Sequence, residues 1–250
     1  MAIYEESLKS LFLEMSFNGT LLSTGTGFLC TSPIGPVLIT NRHNVTGRRQ
    51  DTGQAISSHG GVPDKISIRH NRLGHAGETL LKDEALFDHE GERRWIEHPT
   101  LGAMADFVAL PLSNTYGGIQ LRYYDPSDPG PLFKIGPTAI VSVLGFPFGI
   151  TGGASLAVWA TGFVASEPDA DYGGLPTFLI DCRTRPGQSG SPVIAYRHGM
   201  ADMEGGGTLM SDRSLTRFLG IYSGRVNADA DLGIVWKARV IAELIASLKQ

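Results

Sequence analysis

Short apolar runs recur along the whole chain, each closed off by a cluster of Gly, Pro, Asn or Asp. Runs this short, bounded by turn formers, are the signature of strands in an all-β sandwich or barrel. They predict strands at Leu11–Phe17, Gly27–Thr31, Val37–Thr40, Ile66–Arg69, Phe107–Pro111, Ala139–Gly145, Ala157–Ala165, Thr177–Asp181, Pro192–Tyr196, Phe218–Ser223 and Gly233–Lys237. Helical spacing is clear only in Ala238–Lys249, where Val240, Ile241, Leu244, Ile245 and Leu248 share one face. Ala2–Ser10 can hold a short helix, and His43–Gly47 one turn.

One segment divides this pattern. Tyr123–Pro131 reads YYDPSDPGP, and its prolines, aspartates and glycine mark a linker at 123–131. Residues 1–122 and 132–250 then form two halves, each with enough strands for a small barrel. The stretch Thr46–Thr100 is polar and irregular, reads as long loops, and holds five of the seven histidines.

Composition narrows the class. A hydrophobic fraction of 42% with 18% charged residues fits neither a disordered tail nor a membrane protein. The formal charge of -4 gives no reason to expect a nucleic acid partner. No run of about 20 apolar residues is present to span a bilayer. Two cysteines, Cys30 and Cys182, allow at most one disulfide, and the start of the chain carries Glu5, Glu6, Lys9 and Glu14 rather than a basic, then apolar, leader. A cytoplasmic location is the expectation.

Three places carry candidate chemistry. Arg185-Pro186-Gly187-Gln188-Ser189-Gly190-Ser191-Pro192-Val193 puts a serine in a glycine turn before an apolar strand. Acyl transfer by serine needs an exposed hydroxyl, a base within reach, and backbone N–H groups aimed at the developing oxyanion. Val37–Val45 is an apolar strand ending in a polar turn with His43, the residue type whose ordinary pKa suits a general base. Asp106 stands at the mouth of the apolar run Phe107–Leu110, where an acid needs a partner, and an imidazole N–H is one. Taken singly, each is also an ordinary turn, loop histidine or strand-start acid. Their order, His43 then Asp106 then Ser189, differs from the Ser–acid–His order of α/β-hydrolases, and Ser191 breaks the G-x-S-x-G elbow.

These residues resemble the trypsin/chymotrypsin-like serine proteases, and within them the bacterial HtrA-like branch. The likeness rests on Gly25-Thr26-Gly27-Phe28, LITNRHNV around His43, DFVAL from Asp106 and RPGQSGSPV around Ser189. Gly145-Phe146-Pro147-Phe148-Gly149 followed by ATGFVAS, and LGIYSGRV at Leu219–Val226, add to it. The resemblance implies an all-β fold of two six-stranded antiparallel barrels with a C-terminal helix, the active site lying between them. It implies a His43–Asp106–Ser189 triad and an oxyanion hole from the N–H groups of Gly187 and Ser189. It places Arg183, Thr184, Arg185, Ser223, Gly224, Arg225 and Gly233 about the specificity pocket, with Ser223–Arg225 pairing with substrate backbone as an added strand. The implied activity is peptide-bond hydrolysis through an acyl-enzyme, without cofactor or metal, on a protein or peptide substrate. A non-catalytic peptide-binding module and an esterase-type acyl hydrolase are the alternatives, and a regulatory protein partner stays open.

The chain departs from that family in three places. Gln188 stands where secreted trypsins use Asp to bind a cleaved N-terminus, so activation by N-terminal cleavage is not expected. Asn44 follows His43, which removes the disulfide partner found there. No PDZ domain is expected after the helix. The histidines His59, His70, His75, His89 and His98 lack the tight Cys or His pairing of a zinc site and read as surface loops. The charges near the pocket conflict: Arg183, Arg185 and Arg225 suit an acidic side chain, Asp229 and Asp231 a basic one. Gly233 suggests an open floor.

Overall fold

The computed structural model describes residues 3–58, 60–227 and 229–249. The first half pairs β1 (Ser10–Phe17), β2 (Thr20–Ser32), β3 (Gly35–Thr40), β4 (Lys65–Arg72), β5 (His75–Ala85), β6 (Ile96–Glu97), β7 (Val108–Pro111) and β8 (Ile119–Gln120). They form an eight-stranded antiparallel sheet in the order β5-β4-β1-β2-β3-β7-β6, with β8 joined to β4. The second half pairs β9 (Ile140–Gly145), β10 (Val158–Val164), β11 (Thr177–Asp181), β12 (Pro192–Asp202), β13 (Thr208–Arg225) and β14 (Leu232–Lys237). These close into a barrel in the order β10-β11-β14-β13-β12-β9. Helix α1 (Glu6–Lys9) precedes the first sheet, α2 (Arg42–Thr46) follows β3, and α3 (Ala238–Ser247) ends the fold.

The mostly-β architecture with two sheets and a C-terminal helix agrees with the sequence pattern. The first half does not resolve into six strands. The sheet gains β6 and β8, each two residues long, and its hydrogen-bonded path stays open among the described residues. Within the Thr46–Thr100 stretch, otherwise expected as loops, the strand foreseen at Ile66–Arg69 lies in β4, which forms a hairpin with the unforeseen β5. Strand β5 (HAGETLLKDEA) lies on the edge of the sheet with most of its side chains at least partly exposed, so it never needed an apolar alternation. His70 and His98 are buried rather than on the surface; His59 lies outside the described residues. The helix expected at Ala2–Ser10 shrinks to α1, because Ser10 already pairs with Phe28 in the sheet; Ala2 lies outside the described residues.

Strand alternation divides the apolar residues among three cores. In β2, β3 and β7, Leu29, Leu38, Val108 and Leu110 face the interior of the first sheet with Leu13, Ile66 and Ile68. Their neighbours Phe28, Cys30, Val37, Ile39 and Ala109 face the other way. There they meet Phe218, Ile221 and Trp236 of the barrel and Val240, Ile241 and Leu244 of α3. A third cluster, including Val143, Val193, Phe178 and Val235, fills the barrel itself. The segment between the halves joins in: Tyr124 is buried, its N–H bonds the Leu29 carbonyl, and its ring stacks on Phe218 with centroids 4.8 Å apart. The two sheets are therefore welded along an apolar seam.

Candidate active site

Strand β3, buried on both faces, ends at Thr40 and delivers His43 on the one-turn helix α2. Gly47 closes that turn in the left-handed conformation at φ 64°. Asp106 sits just before β7, which pairs with β3, so strand register brings acid and histidine together. Its carboxylate is 2% exposed and accepts three hydrogen bonds: from His43 Nδ1 at 2.7 Å, from the His43 backbone N–H at 3.0 Å, and from Ser223 Oγ at 2.5 Å. Asn41 Nδ2 holds the Asp106 carbonyl at 2.6 Å. With Asp106 Oδ2 accepting from Nδ1–H, the imidazole presents its Nε2 lone pair outward.

Ser189 comes from the barrel half. It lines the same cleft as His43, Asp106 and Ser223. No hydrogen bond joins Ser189 Oγ to His43 among the described residues. The turn that carries it is docked on the first sheet. The Ser189 carbonyl accepts from the Thr26 N–H at 2.9 Å and from Asn44 Nδ2 at 3.2 Å. Asn44 also donates to Thr40 Oγ1 at 3.0 Å. Gly25 leaves the room for this side chain, since a Cβ there would lie 2.7 Å from Asn44 Nδ2. Gly190, at φ +90°, packs so closely on the Thr26 carbonyl that no side chain fits.

The loop before Ser189 is fastened at several points. Arg185 N–H donates to Gln188 Oε1 at 2.8 Å, and Gln188 N–H returns to the Arg185 carbonyl at 3.1 Å. The Gln188 side chain is buried, and its Oε1 finds its partner within the same loop. The Pro186 carbonyl accepts from Phe148 N–H at 2.7 Å, and the Gly187 carbonyl from Thr26 Oγ1 at 2.8 Å. The N–H groups of Gly187 and Ser189 have no acceptor among the described residues.

The cleft has a volume of about 590 Å³. Thr184, Ser223, Gly224 and Arg225 line it; Arg183 and Gly233 do not. Arg183 turns to solvent, 79% exposed, toward Asp231. Gly233 is covered by the ring of Tyr222, whose Cε2 would lie 2.8 Å from a Cβ at that position. The Tyr222 hydroxyl pairs with Thr184 Oγ1 at 2.5 Å, and burial raises its pKa to about 12. The floor expected to be open is therefore closed by an aromatic ring, and Gly233 is glycine to make room for it. The conflict of charges also resolves in part, since Arg183, Arg185 and Arg225 all lie within 4.0 Å of Asp231. Above the floor, Ile56, Met104, Tyr172, Leu175 and Val226 give the cleft an apolar wall.

The register of β13 and β14 shifts between Tyr222 and Gly224, and β12 pairs with β13 only as far as Ile221 in this direction. On the side away from β14, Ser223–Arg225 thus offer a strand edge with no partner among the described residues, lining the same cleft as Ser189. Both cysteines are free and buried, and burial pushes the Cys30 thiol up strongly and the Cys182 thiol to about 11. Neither suits a nucleophile. Sequence reasoning did not single out Thr26, Asn41 or Asn44 as supports. Thr26 sits in a glycine-flanked motif that was visible, but the asparagine contacts required the pairing of β3 with β7 and the docking of the two halves.

Comparison with known proteins places this geometry. The fold is similar to a serine endoprotease from Yersinia pestis, at TM-score 0.53 and 12% identity, covering 97% of this chain and 65% of that one. It is similar to the thermostable serine protease AL20 from an extremophilic microorganism, at TM-score 0.51 and 12% identity, covering 96% of both chains. The chain thus spans 65% of the length of the Yersinia enzyme. No curated protein matches the sequence. The model of the trypsin-like peptidase domain matches residues 25–200, a span that includes His43, Asp106 and Ser189. Since that match takes in well over half of its length, the chain belongs to the trypsin-like peptidase domain family.

Proposed function

We propose that the protein is a serine endopeptidase in which His43, Asp106 and Ser189 act as one unit. The observation that carries this reading is the His43–Asp106 pair, fixed by two hydrogen bonds, facing across one cleft a serine flanked by two N–H groups without acceptors. Ser189 Oγ attacks the peptide carbonyl while its proton passes to His43 Nε2. The oxyanion is received by the Gly187 and Ser189 N–H groups. Collapse breaks the C–N bond, the proton goes to the leaving amine, and an acyl-Ser189 ester remains. Water, deprotonated by His43, then hydrolyses the ester and restores Ser189. The Ser189–His43 hydrogen bond forms as substrate fills the cleft, as is common where the free enzyme holds these groups apart.

The open edge at Ser223–Arg225 favours an extended peptide over a simple ester, because a peptide backbone satisfies it as an added strand. The ring of Tyr222 favours a small side chain at the residue whose carbonyl is attacked. The test is labelling with a fluorophosphonate, followed by peptide mapping. Wild-type protein is expected to label at Ser189, and Ser189→Ala to remain unlabelled and lose turnover of casein by about 10⁴-fold. Labelling of the Ala variant at Ser191 would overturn the assignment, and hydrolysis of simple esters without casein would make the protein an esterase.

A further inference from the structure

Phe148 combines two features that its surroundings do not explain. It is an aromatic residue held in the left-handed region, at φ 53° and ψ 23°, and its side chain is 64% exposed. Residues with a Cβ avoid this region, and the exposed ring shows no burial to offset the cost. Outliers of this kind persist where the surrounding structure holds them, and they concentrate at functional sites. Here the neighbouring bonds do the holding. Gly149 N–H donates to the Phe146 carbonyl at 3.0 Å, and Ile150 N–H to the Pro147 carbonyl at 2.8 Å, which closes a tight turn around Phe148.

What the conformation achieves is the direction of one N–H. It points at the Pro186 carbonyl, 2.7 Å away. A trans peptide puts its carbonyl and its N–H on opposite sides. Holding the Pro186 oxygen toward Phe148 therefore turns the Gly187 N–H away from Phe148. The next carbonyl, of Gly187, is held by Thr26 Oγ1, which in turn accepts from the Phe146 N–H at 3.3 Å. Both peptide planes that flank Gly187 are thus tied to Phe146–Phe148. Gly187 itself, at φ +94°, resists neither orientation, and a side chain there would run into the Phe146 carbonyl.

We infer that Phe148 is a positioning residue of the oxyanion hole, acting through its backbone: its left-handed conformation aims the N–H that clamps Pro186, and the clamp sets the Gly187 N–H. This rests on the proposed peptidase reading but can fail independently of it. The discriminating variable is backbone preference, not the side chain. Phe148→Gly and Phe148→Asn accept the left-handed region, whereas Phe148→Val, branched at Cβ, resists it. Fluorophosphonate labelling of Ser189 in the wild type establishes the reading first. Steady-state kinetics on one peptide substrate then follow, with a thermal melt of each variant to show that it is folded. The expected result is a kcat lower by about 10²-fold in the Val variant, at a KM within about twofold, while the Gly and Asn variants keep kcat within about threefold. Equal kcat in the Val and Gly variants would overturn the inference. So would a loss in Gly and Asn as deep as in Val, or a change confined to KM, which would make the exposed ring a substrate contact instead.

Discussion

Replacing Asp106 by Asn tests how far the hydrogen-bond geometry governs the chemistry. The carboxylate accepts from His43 Nδ1, from His43 N–H and from Ser223 Oγ, while an amide has one oxygen and one NH₂. If the oxygen faces the His43 backbone N–H, the NH₂ faces Nδ1 and forces the lone pair of the ring there. The proton then sits on Nε2, and the base is lost. If the oxygen faces Nδ1 and Ser223, the NH₂ opposes the His43 backbone N–H, and a buried donor loses its acceptor. That second arrangement costs about 1–3 kcal/mol. Even when it forms, the imidazolium leans on a neutral oxygen rather than a carboxylate, at a further cost of about 1–2 kcal/mol. The two together come to about 2–5 kcal/mol, or roughly 30- to 4,000-fold in kcat. The Asn41 bond to the residue 106 carbonyl does not involve the substituted atoms, so the strand start stays in place. Kinetics on a peptide substrate, with a melt to show that the fold is kept, are the assay. A loss of kcat under about 10-fold in a folded variant would refute the orienting role.

Two further outcomes follow from buried groups. Tyr222→Val removes the ring that closes the cleft floor. Against a peptide library, it is expected to shift kcat/KM toward Leu or Phe over Ala by about 10- to 100-fold at the residue N-terminal to the cut, and an unchanged profile would mean the floor does not set the preference. His70 is buried, and burial lowers its pKa to about 4 from the ordinary 6.5. The unfolded chain therefore takes up this proton first as pH falls, so stability is intact above about 6.5 and declines toward 4, by about 3 kcal/mol in all. Chemical denaturation of His70→Gln at pH 7 and pH 4.5 is expected to show a smaller acid penalty than wild type; an equal penalty would assign the acid sensitivity elsewhere.

Much of this architecture can be read from the chain before any coordinates. The strands that build the seam are apolar on both faces, as in Val37–Ile39, and they stand out against Gly and Pro punctuation. Asp106, His43 and Ser189 lie beside such strands, so they stood out as candidates as well. Strand β5 did not, because an edge strand with solvent on most of its side chains has no need of alternation, and polar residues interrupt its few apolar ones. The long outer parts of β12 and β13 were missed for the same reason, with Met200 and Met210 paired and exposed. Gly233 misled because a glycine reads as empty space, whereas here the space is taken by a ring from the neighbouring strand. Asn44, through its side-chain amide, and Phe148, through its backbone N–H, hold carbonyls of segments distant in sequence, and no local pattern announces such contacts.

The apolar seam between the two sheets has a consequence for how the protein would meet its own kind. His43 and Asp106 belong to one sheet and Ser189 to the other, and the bonds from Thr26 and Asn44 to the Ser189 carbonyl cross between them. If His43, Asp106 and Ser189 act together as proposed, a molecule that opens along the seam exposes cleavable backbone and at the same moment takes its own cutting groups apart. Opened molecules can then be digested only by intact ones. Loss of protein on storage is expected to be second order in concentration, and to stop when the Ser189→Ala form is stored alone.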